Sequence, residues 1–409
     1  MTDASARLSD PGLPEVSLLL GPDALGPLRV ALAGAGASLG RVRPRQVTWW
    51  PGRSITVRFE AFSEFGPPLP QIMACAGSIP DGAAILEADD LRIGVWALPN
   101  DPGLPGLASI LDPRTLRPML ESLGITVSGI STRLRAYRPG RRAVVQVDTD
   151  RTRLFVKLGR PQTIRALHQT HRLMSEVLPV PESLGFDPDL GILVMPSGVG
   201  QTLREVLDGG RATPDPAAFE ALLVAMPPPV GSPRPRSPIT RLDSLTNLLR
   251  AVVPDQTARL DDLVGRIGSE SDNATVPVHG DFHDGQVLVD GGRITGLLDV
   301  DTHGVGHPAD DPATMLGHLE SRRTHSPRPD GIAALTAALV DVWCGRVDAV
   351  ELRRRTSAVM LGLATGPFRV QQDGWPDGVR DRIRRADEVM RDENPLIPIT
   401  GSSHARPAQ

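Results

Sequence analysis

Hydrophobic and polar positions alternate in three ways along this chain, and each predicts a different kind of element. From about residue 15 to 130 the apolar residues fall in short alternating runs, such as SITVRFEAF at 54–62 and LRIGVWAL at 91–98, the latter followed by the turn-rich PNDPGLPG. Period-2 alternation bounded by Gly and Pro predicts strands. DPRTLRPMLESLG shifts to a helical period and stops at Gly124, where a glycine suits a helix end. From Thr132, TRLRAYRPGRRAVVQVDTDRTRLFVKLG reads as three strands broken at Pro-Gly and at DTDR, an antiparallel meander. In PQTIRALHQTHRLMSEVL, residues Ile164, Leu167, Leu173, Met174 and Val177 follow the helical period up to Pro179, and FDPDLGILVMPSG then predicts a hairpin. Beyond residue 200 the pattern is mainly helical, with a Pro-rich break at 226–238 and one strand-rich island, VPVHGDFHDGQVLVDGGRITGLLDVDTHGVG, at 276–306.

Two segments of this pattern resemble each other. WWPGRSITVRF from Trp49 and YRPGRRAVVQV from Tyr137 share aromatic-x-Pro-Gly-Arg followed by an alternating strand, offset by 88 residues. A duplicated or imitated lobe would produce this repeat. The pattern divides the chain into an α+β unit at 15–130, a small sheet lobe at 131–197 and a mainly helical lobe at 198–395. The polar or Pro/Gly/Ser-rich ends, 1–14 and 396–409, are expected to be disordered.

Composition narrows the function classes. The 409 residues are 40% hydrophobic and 22% charged, and no apolar run approaches the ~20 residues that span a membrane. The formal net charge of −4 gives no field that would draw the chain as a whole onto nucleic acid. Cys75 and Cys344 lie far apart, and MTDASARLSDPGLPEV lacks a basic region followed by an apolar stretch, so a reduced cytoplasmic setting is expected. Lys157 is the only lysine among 44 cations, and Tyr137 the only tyrosine. A GC-biased genome replaces Lys by Arg wherever Arg serves, which marks Lys157 for a task that needs a compact point charge, such as meeting a phosphate.

The island carries the chemistry. VPV runs into HGDFHDG, and QVLVD and ITGLLDV flank a Gly291–Gly292 turn that would place Gln286 opposite Leu297. Asp281, Asp284, Gln286, Asp299 and Asp301, with His279, are thereby expected on one rim, with Asp290, Asp310 and Asp311 adding to the acidity and Arg293 the sole cation of the stretch. Crowded carboxylates repel and raise one another's proton affinity, a cost that a divalent cation with its polyphosphate removes. Asp301, two residues beyond Asp299, would share its face of an extended strand.

HGDFHDGQVLVDGGRITGLLDVD, with DPA at 311–313, resembles the paired signatures of the aminoglycoside phosphotransferase and choline kinase-like superfamily. YRPGR, FVKLG, VPVPESLG and LVM extend the likeness from about 131 to 390. The resemblance implies an α+β, protein-kinase-like two-lobe fold with an additional N-terminal α+β domain, the latter similar to the cap of maltokinase-like sugar kinases. It implies an ATP- and Mg²⁺-dependent transfer of the γ-phosphate to a hydroxyl of a small molecule: an aminoglycoside, sugar or amino-sugar. Asp281 would be the catalytic base, and Gln286, Asp299 and Asp301 the metal ligands, with Asp299 and Asp301 both open as the principal one. Lys157 would meet the ATP phosphates, Met195 would lie in the hinge that receives adenine, and His279 would order the loop. With no glycine-rich P-loop motif, the Pro139–Gly140 turn with Arg141 and Arg142 would serve the phosphates.

Three departures stand out. Gln286 replaces the family's Asn, His307 replaces a common Asp, and the helix after Lys157 offers His168, Gln169 and Glu176 where a lysine-pairing Glu is usual. These keep open a second reading, a catalytically impaired kinase-like nucleotide-binding module. A third starts from the two H-x₃-H pairs, His279/His283 and His303/His307, as zinc ligands, although they sit in loops without an intervening Glu.

Overall fold

The computed structural model describes residues 8–32, 38–64, 68–88, 91–231, 237–269 and 275–391. The expected disordered tail at 396–409 lies outside them. Of the N-terminal stretch, residues 8–14 are described and lie against the first sheet. There Asp10 is buried and accepts from Trp49 Nε1 at 3.1 Å, from Gly52 N at 2.6 Å and from Gly12 N at 3.0 Å. A short acceptor that satisfies three donors orders a segment whose composition alone reads as loose.

Two five-stranded antiparallel sheets dominate the first half. The first comprises β1 (Leu39–Trp50), β2 (Ser54–Ser63), β3 (Pro68–Ala76), β4 (Ala84–Ala88) and β5 (Leu91–Ala97); the second, β6 (Ile130–Arg138), β7 (Arg142–Thr149), β8 (Arg153–Gly159), β9 (Gly185–Asp187) and β10 (Ile192–Pro196). Their strand orders, β1-β2-β3-β5-β4 and β6-β7-β8-β10-β9, are the same permutation. The repeated Pro-Gly motif makes the first turn of each, with Gly52 at φ 70° and Gly140 at φ 64°, a backbone that glycine adopts without strain. Register makes the copies comparable: Thr56 faces Cys75 in the first sheet, and Val144, 88 positions after Thr56, faces Lys157 in the second. The first sheet therefore holds a buried cysteine where the second holds the lysine. The second also inserts the helix Pro161–Ser175 between β8 and β9.

The first sheet is wedged between both lobes. Its residues Trp49, Val57, Phe59 and Ala74 share a core with Leu249, Leu361, Phe368 and Ile383 of the helical lobe. Met73, Cys75 and Trp96 join Tyr137, Val145, Val156 and Ile192 of the second sheet in another. The alternation that made β3 legible as a strand thus buries both of its faces, Ala74 one way and Cys75 the other. A third core fills the helical lobe around Phe282, Val287, Leu316 and Trp343. This lobe carries the remaining strands, β11 (Gln201–Thr202), β12 (Val276–Val278), β13 (Val287–Asp290), β14 (Arg293–Leu297) and β15 (Gly304–Gly306). Among the described residues no helix is long and apolar enough to cross a membrane.

The contact between the two sheets turns on the sole tyrosine. Tyr137 Oη donates to Asp101 Oδ2 at 2.6 Å, Gly140 N donates to the same oxygen at 2.8 Å and Gly103 N to Oδ1 at 2.8 Å, while Trp96 Nε1 donates to Tyr137 Oη at 3.4 Å. Burial, then the Asp101 charge, push the phenol pKa up and keep it a donor. A Cβ on Gly103 would stand 2.8 Å from Gly140 Cα, so the backbones meet there only because Gly103 lacks a side chain. Tyr137→Phe strips one partner from a buried carboxylate and one from a buried indole. It should lower unfolding free energy by about 1–3 kcal/mol in urea melts, and an unchanged midpoint would show the network to be inert.

Candidate active site

β8 alternates Leu154, Val156 and Leu158 into the core, and this period directs Phe155 and Lys157 to its other face. That face looks onto the strand-rich island of the helical lobe. Lys157 Nζ lies 2.8 Å from Asp299 Oδ1 and also contacts Asp301 Oδ1 at short range. Arg142 Nη1 is 3.4 Å from Asp299 Oδ2 and 3.8 Å from Asp301 Oδ2. Gln286 Nε2 lies 3.4 Å from Asp299 Oδ2. Gln286, Asp299 and Asp301, expected on one rim, and Lys157, predicted apart from them, thus form one cluster joining the two lobes.

The local backbone differs from the sequence expectation in two ways. β13 (Val287–Asp290) and β14 (Arg293–Leu297) do form the Gly-Gly hairpin, with Gly291 at φ 54° and Gly292 at φ 74°, as a type I′ turn requires. Its register breaks between Leu288 and Val289, so Val287, not Gln286, faces Leu297, and Gln286 O receives Leu298 N at 2.8 Å. A bulge adds one residue to a strand, and composition does not reveal it. Asp301 does not continue an extended strand either: Asp299 adopts φ 58°, ψ 49°, and Val300–Thr302 is a 3₁₀ turn. The two carboxylates meet Lys157 because the chain folds back. Burial alone would push the Asp299 carboxyl up, but the charges of Lys157 and Arg142 outweigh it and hold it well below the usual range. Burial likewise opposes the Lys157 charge, and Asp301 and Asp299 reverse the outcome, raising its pKa.

The HGD loop is anchored from behind. β12 (Val276–Val278) pairs with β15 (Gly304–Gly306), and Gly280 at φ 80° has Thr302 O 2.6 Å from where a Cβ would stand. Asp311 accepts from His279 N at 2.6 Å and Gly280 N at 2.9 Å, and burial pushes its carboxyl up to about 7. Fully buried His279 places Nε2 2.9 Å from Leu298 O and accepts Asp281 N at Nδ1, 3.3 Å away; burial lowers its pKa to about 4, so it stays neutral. Both residues shape the loop that presents Asp281. The Asp281 side chain is half-buried, and no described residue hydrogen-bonds its carboxylate.

Several expected members face elsewhere. Asp284 is completely buried and receives Arg204 as a fork, Nε to Oδ2 at 3.2 Å and Nη2 to Oδ1 at 2.9 Å, with Arg322 Nη1 at 3.3 Å. Asp290 closes the hairpin opposite Arg293, and Asp310 pairs with buried Arg355. The four histidines of the H-x₃-H pairs do not converge: His279 and His303 bond the carbonyls of Leu298 and Val278, and His307 Nδ1 accepts Ala309 N.

Met195, next to last in β10, lies opposite Phe155 on the sheet face that carries Lys157, packed with Ile164 and Leu193. Arg141 sits at the tip of the β6–β7 turn with no ion pair to any described residue, and it is Arg142 that reaches the cluster. Desolvation and the neighbouring charges of Arg160, Arg142 and Arg241 lower the Arg141 pKa; desolvation, then Arg142, Arg369 and Arg141, bring Arg138 down to about 10. The cleft mouth is a set of arginines that weaken one another's proton affinity.

Of the helix residues weighed as lysine partners, His168 bonds Ser183 Oγ at 2.8 Å and stacks on Phe186, and Glu176 caps the C-terminal end. The residue that does feel Lys157 is His171, which sequence reasoning missed. Its Nδ1 lies 2.9 Å from Pro181 O, its buried Nε2 has no partner among the described residues, and burial with the Lys157 charge lowers its pKa to about 4. It lies one helical turn beyond His168, a signal obscured by a search for carboxylates.

A small sheet lobe with an internal lysine, joined to a helical lobe that meets it with paired aspartates beside an HGD loop, is the build of a kinase-like small-molecule phosphotransferase. The profile of the phosphotransferase enzyme family (APH) matches residues 133–343, just over half of the chain, and the protein belongs to that family. No curated protein sequence matches it. Similar solved structures include a thermostable mutant of aminoglycoside phosphotransferase APH(4)-Ia in ternary complex with ADP and hygromycin B, at 16% identity and TM-score 0.48, covering 68% of this chain and 97% of that one. An aminoglycoside-3'-phosphotransferase of type VIII aligns at 18% identity and TM-score 0.44, covering 61% and 97%. Macrolide 2'-phosphotransferase MphH from Brachybacterium faecium aligns at 17% and 0.40, covering 66% and 97%.

The buried Asp284 ion pairs give this site a stability test. Asp284→Ala leaves Arg204, half exposed, and Arg322, which keeps Asp208, without their shared carboxylate and should cost about 1–3 kcal/mol in denaturant unfolding. A loss below ~1 kcal/mol would show that solvent compensates both cations.

Proposed function

We propose that the protein transfers the γ-phosphoryl group of ATP to a hydroxyl of a small molecule, with aminoglycosides, sugars and amino-sugars as the acceptor classes. The observation that carries this reading is the cross-lobe cluster of Lys157 with Asp299 and Asp301, set beside a loop that presents the Asp281 carboxylate, which no described residue hydrogen-bonds.

Each residue then has a task its surroundings suit. Lys157 supplies a compact charge to the ATP phosphates, and Arg141 adds a second from the turn above. Met195 belongs to the hinge segment whose backbone receives adenine. Asp281 accepts the proton of the acceptor hydroxyl as its oxygen bonds to the γ-phosphorus and the bond to the ADP oxygen breaks. Gln286, Asp299 and Asp301 offer an amide and two carboxylates, the oxygen donors that suit Mg²⁺; the Gln286 amide, whose Nε2 lies 3.4 Å from Asp299 Oδ2, would turn its Oε1 toward a shared ion. When bound, that ion offsets phosphate charge. The arginines at the cleft mouth favour an entering polyphosphate, because they weaken one another until an anion arrives.

The resemblance of the N-terminal unit to the cap of maltokinase-like kinases is what puts sugars among the proposed acceptors. Two unpaired cysteines, Cys75 and Cys344, suit a reducing cytoplasm.

Asp281→Asn tests the base assignment in an ADP-release assay with Mg²⁺ and a panel of sugars, amino-sugars and aminoglycosides. The variant should lose more than nine-tenths of kcat, above ~1.4 kcal/mol of barrier, while ATP affinity stays nearly unchanged. Retention of more than a tenth would remove Asp281 from the role. Absence of wild-type turnover with every acceptor, alongside Mg²⁺-independent ATP binding, would favour the nucleotide-binding module.

A further inference from the structure

The histidines that failed to pair by sequence spacing leave one that pairs through the fold. Asp281, His283 and His318 each offer one ligand atom, and these atoms lie within 4.8 Å of one another. His283 belongs to the HGD loop, whereas His318 stands on the helix Asp310–Arg323. Their rings are parallel, with centroids 4.1 Å apart and planes 4° from each other. Each ring nitrogen's lone pair lies in its own ring plane, so one ion can be shared only if the two imidazoles turn out of the stack toward each other. Behind His283, Asp284 Oδ1 lies 3.6 Å from Nδ1, and Asp284 is itself fixed by Arg204 and Arg322. A carboxylate behind the non-ligating nitrogen is the arrangement that orients a metal-bound histidine.

We infer that Asp281, His283 and His318 bind a zinc-class transition-metal ion, and that its binding stops phosphoryl transfer by occupying the Asp281 carboxylate. Two imidazoles and one carboxylate suit zinc, with bonds of about 2.0–2.2 Å, and do not suit Mg²⁺, which takes oxygen donors. Ligand atoms up to 4.8 Å apart stand wider than such bonds allow, so the side chains rotate inward on loading. Gly285 N donates to His283 Nδ1 at 3.0 Å, and the Gln286 amide lies 3.4 Å from His283 Nε2. Coordination through Nε2 puts the ring proton on Nδ1, so the ring must give up the hydrogen bond that Nδ1 accepts from Gly285 N and turn toward Asp284, and it displaces Gln286. This site is separate from the Gln286, Asp299 and Asp301 oxygens but shares their neighbourhood, so zinc and Mg²⁺ act in opposite senses. The inhibitory half rests on the assignment of Asp281 as base; the binding half does not.

Cobalt(II) is the probe, added to the full-length protein in the presence of Mg²⁺. The account expects the intense visible bands of a low-coordinate nitrogen and oxygen site, and at least a tenfold weaker cobalt affinity in His318→Gln. It also expects zinc to inhibit wild-type ADP release at concentrations at least tenfold below those needed for His318→Gln. Circular dichroism checks the fold of the variant, and His283→Asn replaces it if it does not fold. A weak octahedral spectrum, or equal cobalt affinity in wild type and variant, overturns the site. Cobalt bound through His318 with zinc inhibition unchanged in the variant overturns the inhibitory half. A protein that binds cobalt as expected but never turns over ATP refutes the kinase reading and leaves the metal site standing.

Discussion

Everything in the cleft depends on one buried ammonium held between two carboxylates. Lys157 belongs to the small sheet lobe, Asp299 and Asp301 to the helical lobe, and their ion pairs hold the two faces together across the site. Burying these charges would be costly if any one were left alone. The cluster therefore behaves as a unit: Lys157 and Arg142 lower the Asp299 pKa, the aspartates raise that of Lys157, and Gln286 is drawn to the same carboxylate. A guanidinium at this strand position would present a bulky planar fork where the ammonium offers one compact charge to both carboxylates. This explains why the chain keeps one lysine among so many arginines.

The N-terminal sheet adds a second constraint. It repeats the strand order of the small lobe and buries one face on each lobe, so hinge motion between the lobes works against two apolar cores. Its equivalent of Lys157 is the buried Cys75, whose thiol burial pushes up to about 11. A neutral thiol inside a core offers nothing to a phosphate. The repeat is a structural copy without the charge that defines the original. Asp101, Tyr137 and the Gly103–Gly140 contact carry its influence to the turn that bears Arg141 and Arg142.

Much of this was legible in the sequence because the signals were local. Period-2 alternation located β8, the codon bias exposed Lys157, the two Pro-Gly repeats foretold the matching hairpins, and the Gly291–Gly292 pair fixed the type I′ turn. What the sequence hid depends on backbone geometry or on packing between distant elements. The bulge in β14 and the left-handed Asp299 shifted Gln286 and Asp301 from their expected positions. Asp284 reads like its neighbours, yet two arginines far along the chain turn it inward. Arg142 rather than Arg141 meets the aspartates, since strand pairing decides which of two adjacent arginines faces the cleft. His171 and His318 acquire significance only once their helices are packed.

The central claim is that Lys157 is the compact cation of a nucleotide site and not a structural survivor. Steady-state ADP release by Lys157→Arg, the exchange this genome makes everywhere else, tests it most directly. The account predicts at least a tenfold fall in kcat/KM for ATP, ~1.4 kcal/mol or more, with the thermal melt retained. Turnover of ATP at the wild-type level by that variant would contradict it.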